Sequence, residues 1–122
     1  MSGYAGLRVL IVEDEPVVAM CLEDILVALG CEIVGPAARL AEGLMLAGQE
    51  DLGAAILDIN LAGERSTPIA EALRRRGVPF AFASGYGATP EGFETLPLIE
   101  KPYREADIDT ALRALLRQGS SR

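Results

Sequence analysis

Histidine is absent from this 122-residue chain, cysteine occurs twice, and aromatic residues make up only 5% of it. With no histidine available, Cys21 and Cys31 cannot complete a nitrogen–sulfur metal site, and they lack CxxC spacing. They read as reduced thiols buried in the core, the usual place of a free cysteine. No apolar run approaches the roughly 20 residues that a spanning helix needs. The start, MSGYAGLR, has neither the basic segment nor the apolar stretch of a secretory signal. The expected location is the cytoplasm. Basic charge is scarce too: 11 Lys and Arg stand against 18 Asp and Glu, giving a net charge of −7 and a pI near 4.5. The one basic run, Arg74-Arg75-Arg76, lies at the end of an expected helix, where cations complement the helix dipole. This balance argues against direct nucleic-acid binding.

Half of the residues are hydrophobic, enough for one core without staples at this length. A single domain over residues 1–122 is expected, its core at about 7–118 and a frayed tail at 119–122. Residues 8–12 (RVLIV) form a short apolar run with β-branched members, which suits a strand covered on both faces. Beyond Pro16, the apolar residues Val18, Cys21, Leu22, Ile25, Leu26 and Leu29 follow the ladder of one helix face, and Gly30 ends it. The unit then repeats. CEIV (31–34) is a strand closed by a Gly35-Pro36 turn, followed by a helix near 38–48 carrying Leu40, Leu44 and Ala47 inward. AAILD (54–58) is the third strand; Thr67 and Pro68 read as the N-cap and first residue of a helix that Gly77 stops. PFAFA (79–83), a weak helix near 89–96, LIE (98–100), and a last helix with Ile108, Ala111, Leu112 and Leu115 on one face complete the series.

Five strands alternating with five helices imply a parallel sheet with helices on both faces, joined by right-handed crossovers. The fold class is therefore α/β, a (βα)5 three-layer sandwich, for which the flavodoxin-like strand order 2-1-3-4-5 is expected. Ligands of such sheets bind beyond the carboxyl ends of the strands. Here those ends carry Glu13-Asp14, Asp58, Ser84 and Lys101, and only the second strand ends blandly. Three carboxylates in one crevice would raise one another's pKa values unless a cation intervenes. Oxygen-only ligands with room for water and phosphate favour Mg²⁺. A hydroxyl at Ser84 and a compact ammonium at Lys101 then complete an anion clamp around Asp58, which a phosphoryl group on that carboxylate satisfies. Each piece has a plainer reading: first-turn acids before Pro16, a turn at Asp58, a turn at Ser84-Gly85, a strand end at Lys101-Pro102. Four strand ends holding complementary groups favour the site.

As a set, Glu13-Asp14, Asp58, Ser84 and Lys101-Pro102 resemble, from Arg8 to about Arg117, the receiver domain of two-component response regulators. The resemblance implies that Asp58 accepts phosphate from a sensor histidine kinase or histidine phosphotransfer protein. It further implies that Asp14 binds Mg²⁺ directly, Glu13 through water, and Asn60 through its main-chain carbonyl. A cis Lys101-Pro102 bond is implied as well. Having no histidine, the chain cannot be its own phosphohistidine donor. Leu98 stands where most receivers carry a switch aromatic. PFAFASGYG (79–87) resembles the FAT GUY subgroup, with Ser for Thr, which makes Ser84, Tyr86 and Pro102 the switch candidates; the plainer reading of Tyr86 is a loop aromatic. In GATPEGFETLP, Gly92 costs a helix about 1 kcal/mol, so a marginal fourth helix that phosphorylation reorders is expected.

The expected function is thus a stand-alone signalling phosphoacceptor that switches the face made by its fourth helix, fifth strand and fifth helix toward a downstream protein. An aspartyl-phosphate phosphatase of the haloacid dehalogenase type is the rival among enzymes. Its DxD motif would need a second acid where this chain has Asn60, and no length remains for a cap domain. The residues also leave room for a receiver-like module that is never phosphorylated, and for a fragment of a larger kinase or transcription factor.

Overall fold

Short apolar runs that alternate with amphipathic helices build a central parallel sheet. The computed structural model describes residues 4–85 and 89–120. In chain order its elements are β1 (Arg8–Val12), α1 (Pro16–Ala28), β2 (Glu32–Ala37), α2 (Leu40–Gln49), β3 (Ala54–Asp58), β4 (Asn60–Leu61), β5 (Glu64–Arg65), α3 (Thr67–Arg76), β6 (Phe80–Ser84), β7 (Leu98–Glu100) and α4 (Glu105–Ser120). The main sheet has the order β2-β1-β3-β6-β7, all parallel. This is the expected flavodoxin-like arrangement, with β6 and β7 as its fourth and fifth strands.

Every residue of β3 and β6 is buried, which is why these strands read as unbroken apolar runs. Successive residues nevertheless serve opposite faces. Val9, Ile11 and Ile56 join Leu22 and Leu26 of α1 and Ile108 and Leu112 of α4. Leu10, Val12 and Leu57 join Ala47 of α2 and Ile69 and Leu73 of α3. The register then decides where the strand ends emerge: Val12 lies beside Leu57, Asp58 beside Ala83, and Ser84 beside Glu100. Glu13, Asp58, Ser84 and Lys101 consequently leave the sheet along one edge.

Several details depart from the expected pattern. Gly35-Pro36 does not end the second strand; β2 runs through a cis Gly35-Pro36 bond to Ala37, and the β1 register shifts between Leu10 and Val12. Cys31 is buried as expected, but Cys21 is exposed, because Leu22 and Leu26 rather than Cys21 face the sheet. On α2 the inward residues are Gly43 and Ala47, while Leu44 is exposed. A Cβ at Gly43 would lie 2.4 Å from Ile69 Cδ1, so the bare glycine seats α2 closely on α3. The N-cap of α3 is Ser66 rather than Thr67, and its hydroxyl donates to the Ile59 carbonyl at 3.2 Å instead of capping the helix.

The largest correction concerns residues 89–96, where no helix forms. Gly92 takes φ +92, outside the right-handed helical region. The amides of Phe93 and Leu96 reach only three residues back, to Pro90 and Phe93, so isolated turns replace the helix. Phe93 anchors the segment edge-on against Phe80 and Phe82, under the Arg74 guanidinium at 4.2 Å from its ring centroid. Arg74 also donates to the Gly92 carbonyl at 3.1 Å.

Gly35, at φ +97, has no room for a side chain, since a Cβ would sit 2.8 Å from the Ala37 amide nitrogen and 2.9 Å from the Ile11 carbonyl oxygen. Gly35→Ala is expected to lower stability by about 2 kcal/mol or more. A fall in the denaturant midpoint at unchanged m-value would record it.

Candidate functional site

The sheet edge brings together groups from four strand ends. Glu13, Asp14 and Asp58 each present a carboxylate oxygen within 4.8 Å of the others. Lys101 Nζ lies 2.7 Å from Glu13 Oε1 and 3.3 Å from Asp58 Oδ2. The Glu13 side chain is fully buried; its Oε2 accepts from the Glu15 amide at 3.2 Å, and the Tyr103 hydroxyl stands 3.5 Å from its Oε1. Asp14, by contrast, opens with Asp58, Asn60, Arg65, Ser84 and Lys101 onto a cavity of about 710 Å³. The Lys101 amide donates to the Ser84 carbonyl at 3.1 Å, and the Lys101-Pro102 bond is cis.

The electrostatics follow from burial and crowding. Asp58 is pushed up to about 7 from the ordinary 3.8 by burial first and the Glu13 charge second, with Lys101 pulling the other way. For Lys101, burial opposes the charge, but the hydrogen bond to Glu13 and the charges of Asp58 and Glu13 outweigh it, and its pKa is raised. Burial also pushes the Tyr103 phenol up, reinforced by Glu13 and Asp58. A single ammonium therefore holds two of three acids in check and leaves the third facing the cavity. The chemistry of this donor set, carboxylate oxygens at close range with solvent access, fits a hard divalent cation.

Between β3 and α3 the segment NLAGER closes into a two-residue hairpin, a feature that the sequence pattern did not predict. Asn60 pairs with Arg65 and Leu61 with Glu64. The Ser66 amide donates to the Ile59 carbonyl at 2.9 Å, which makes Asn60 and Arg65 the non-hydrogen-bonded pair. The hairpin's own ladder thus leaves the Asn60 carbonyl uncommitted beside the acids. Both turn residues are left-handed, Ala62 at φ +50 and Gly63 at φ +95, as a type I′ turn requires. Asn60 Oδ1 accepts from the Gly63 amide at 3.2 Å and steadies the turn.

Comparison with known proteins places this architecture. No family model matches the chain. The solution structure of SdrG from Sphingomonas melonis Fr1 superposes with a TM-score of 0.82 at 41% identity, covering 95% of this chain and 99% of that one. The PhyR response regulator REC domain of Erythrobacter litoralis gives 0.81 at 31% identity, covering 97% and 95%. This chain belongs to the response-regulator receiver family. Phyllosphere-induced regulator PhyR of Methylorubrum extorquens AM1 is 34% identical over all of the receiver. The receiver spans about half the length of that curated relative, 48%.

Of the residues singled out in the sequence, Glu13, Asp14, Asp58, Asn60, Ser84 and Lys101 converge on this edge of the receiver, with Pro102 next to Lys101. Tyr86 lies outside the described residues. Leu98 is half-buried and packs on the same side as Phe93 and Leu96. Tyr103 and Arg65 were not anticipated. Tyr103 follows Lys101-Pro102 directly, a signal open to reading, whereas Arg65 reaches the site only through the hairpin.

Two outcomes are expected. Without metal, the folded receiver retains a proton on Asp58 that the unfolded chain releases, so stability falls as pH rises from about 4 to about 7. Asp58→Asn removes that cost, and in EDTA at pH 8 its Tm should exceed the parent's by roughly 4–8 °C, the difference shrinking toward pH 4. Ala62→Gly relieves a left-handed alanine and should raise stability by about 0.5–1 kcal/mol in denaturant titrations.

Proposed function

We propose that this receiver is a phosphoacceptor of bacterial two-component signalling, with Asp58 as the residue that takes the phosphoryl group. The observation that carries the reading is the shared ammonium: Lys101 spans Glu13 and Asp58 at the mouth of a cavity that Asp14 and Ser84 also line. A carboxylate oxygen of Asp58 attacks phosphorus in line, and the bond from phosphorus to the donor's imidazole nitrogen or acyl oxygen breaks, the donor leaving with the electron pair. Lys101 and the Ser84 hydroxyl then receive the phosphoryl oxygens.

Mg²⁺ is the cofactor in this reading. Asp14, Asp58 and the Asn60 carbonyl would hold it, and it would supply charge neutralisation for the incoming phosphoryl group. Glu13, turned away from the cavity and engaged with Lys101 and the Glu15 amide, suits contact through water. SdrG is known in a BeF3-activated conformation, at 43% identity to this chain and a TM-score of 0.78, which supports activation by a phosphoryl group here.

The phosphodonor is a sensor histidine kinase or a histidine phosphotransfer protein in the cytoplasm. The consequence is a change at the face formed by β7, α4 and the adjoining turns at 89–96, which a downstream protein reads. Ser84, Pro102 and Tyr86 are the switch residues of the proposal, in the manner of FAT GUY receivers. The catalysis is confined to the chain's own phosphorylation and dephosphorylation.

Intact-protein mass after incubation with acetyl phosphate tests the reading. A single phosphoryl addition is expected with Mg²⁺, none with EDTA, and none on Asp58→Ala. Labelling that persists on Asp58→Ala, or none on the parent protein with Mg²⁺, would overturn it.

A further inference from the structure

The cavity beside Asp58 is lined by two cations of different standing. Lys101 is committed to Glu13 and Asp58. Arg65 is exposed, and among the described residues no carboxylate lies within ion-pair distance of it. Its backbone is nevertheless well fixed. It sits on β5, opposite Asn60 in the two-residue hairpin, and a non-hydrogen-bonded pair brings the two side chains close on one face. The hairpin is tied down by the fully buried Ser66, whose amide and hydroxyl both donate to the Ile59 carbonyl, and by the contact from Gly63 to Asn60 Oδ1. A guanidinium with no ion-pair partner among the described residues is thereby presented at the rim of the site.

Asp14, Glu15 and Asp58 line the same cavity, and their charges oppose the approach of any anionic donor. An arginine at the rim counters this locally, and its planar fork matches two oxygens of a phosphoryl group. We infer that Arg65 is a donor-binding residue, which engages the phosphoryl oxygens of an acyl phosphate as it enters the cavity toward Asp58. The inference rests on the reading of Asp58 as the phosphoacceptor and adds the group that recognises the small-molecule donor. With acetyl phosphate, an Asp58 carboxylate oxygen bonds to phosphorus, the bond from phosphorus to the acetyl oxygen breaks, and acetate leaves with the electron pair. No proton moves, and Arg65 remains charged throughout.

The test is the initial rate of phosphorylation against acetyl phosphate concentration at saturating Mg²⁺, for the parent chain, Arg65→Ala, Arg65→Lys and Arg65→Glu, with thermal melts of each. Arg65→Ala should raise the half-saturating concentration about fivefold, the yield of one exposed charge contact, with the maximal rate nearly unchanged. Arg65→Glu should raise it further, and Arg65→Lys, which keeps the charge but loses the planar fork, should fall between the parent and Arg65→Ala. Phosphoramidate, which carries less negative charge, should show a smaller shift. Half-saturation that is unmoved in Arg65→Ala and Arg65→Glu would overturn the inference, as would equal shifts in all three variants accompanied by lower melting temperatures. Failure of the underlying reading is separately visible, since the parent chain itself would then take no phosphate.

Discussion

The site depends on one ammonium shared between two carboxylates. Lys101 sits 2.7 Å from a fully buried Glu13 and 3.3 Å from Asp58, and it reaches both because β7 delivers it beyond Glu100 while β1 and β3 deliver the acids from the other side of β6. A buried acid stripped of such a partner costs about 3–5 kcal/mol. Asp58 nevertheless remains incompletely neutralised, held up at about 7 by burial and by the Glu13 charge against the pull of Lys101.

Around that edge the fold combines buried strands with irregular turns. β3 and β6 are buried throughout, so Asp58 and Ser84 are held by the middle of the sheet. The connection after β6 is different. In place of a helix, residues 89–96 form turns pinned by Phe93 between Phe80, Phe82 and Arg74. Phe93 and Leu96 tie these turns to the apolar cluster that also holds Phe80, Phe82 and Leu98 of the neighbouring strands.

Much of this was legible in the chain because periodicity reports burial. The ladder containing Leu22 and Leu26 foretold α1, and the runs AAILD and PFAFA foretold strands covered on both sides. The failures have local causes. Cys21 fits the apolar ladder of α1 but falls at its margin, where the sheet no longer reaches. Leu44 fits the ladder of α2, yet Gly43 lets the helix sit so close to Ile69 that the buried stripe shifts by one residue. NLAGER hid its hairpin because Ala62, unlike asparagine or aspartate, is a poor signal for a left-handed turn position. The fourth helix was suggested by Thr89-Pro90, but Gly92 took a left-handed conformation and Phe93 gained more from the aromatic cluster than from a helical turn.

The sequence by itself determined which residues end the strands, and therefore which chemical groups were available: three acids, a hydroxyl and an ammonium, with no histidine to suggest another chemistry. That follows from hydrophobic patterning, a local property. Tertiary structure alone decided their distances, the burial of Glu13 beside a cavity-lining Asp14, and the hairpin that carries Arg65 to the rim. Those depend on strand register and on packing between elements far apart in the chain, which no short window of residues encodes.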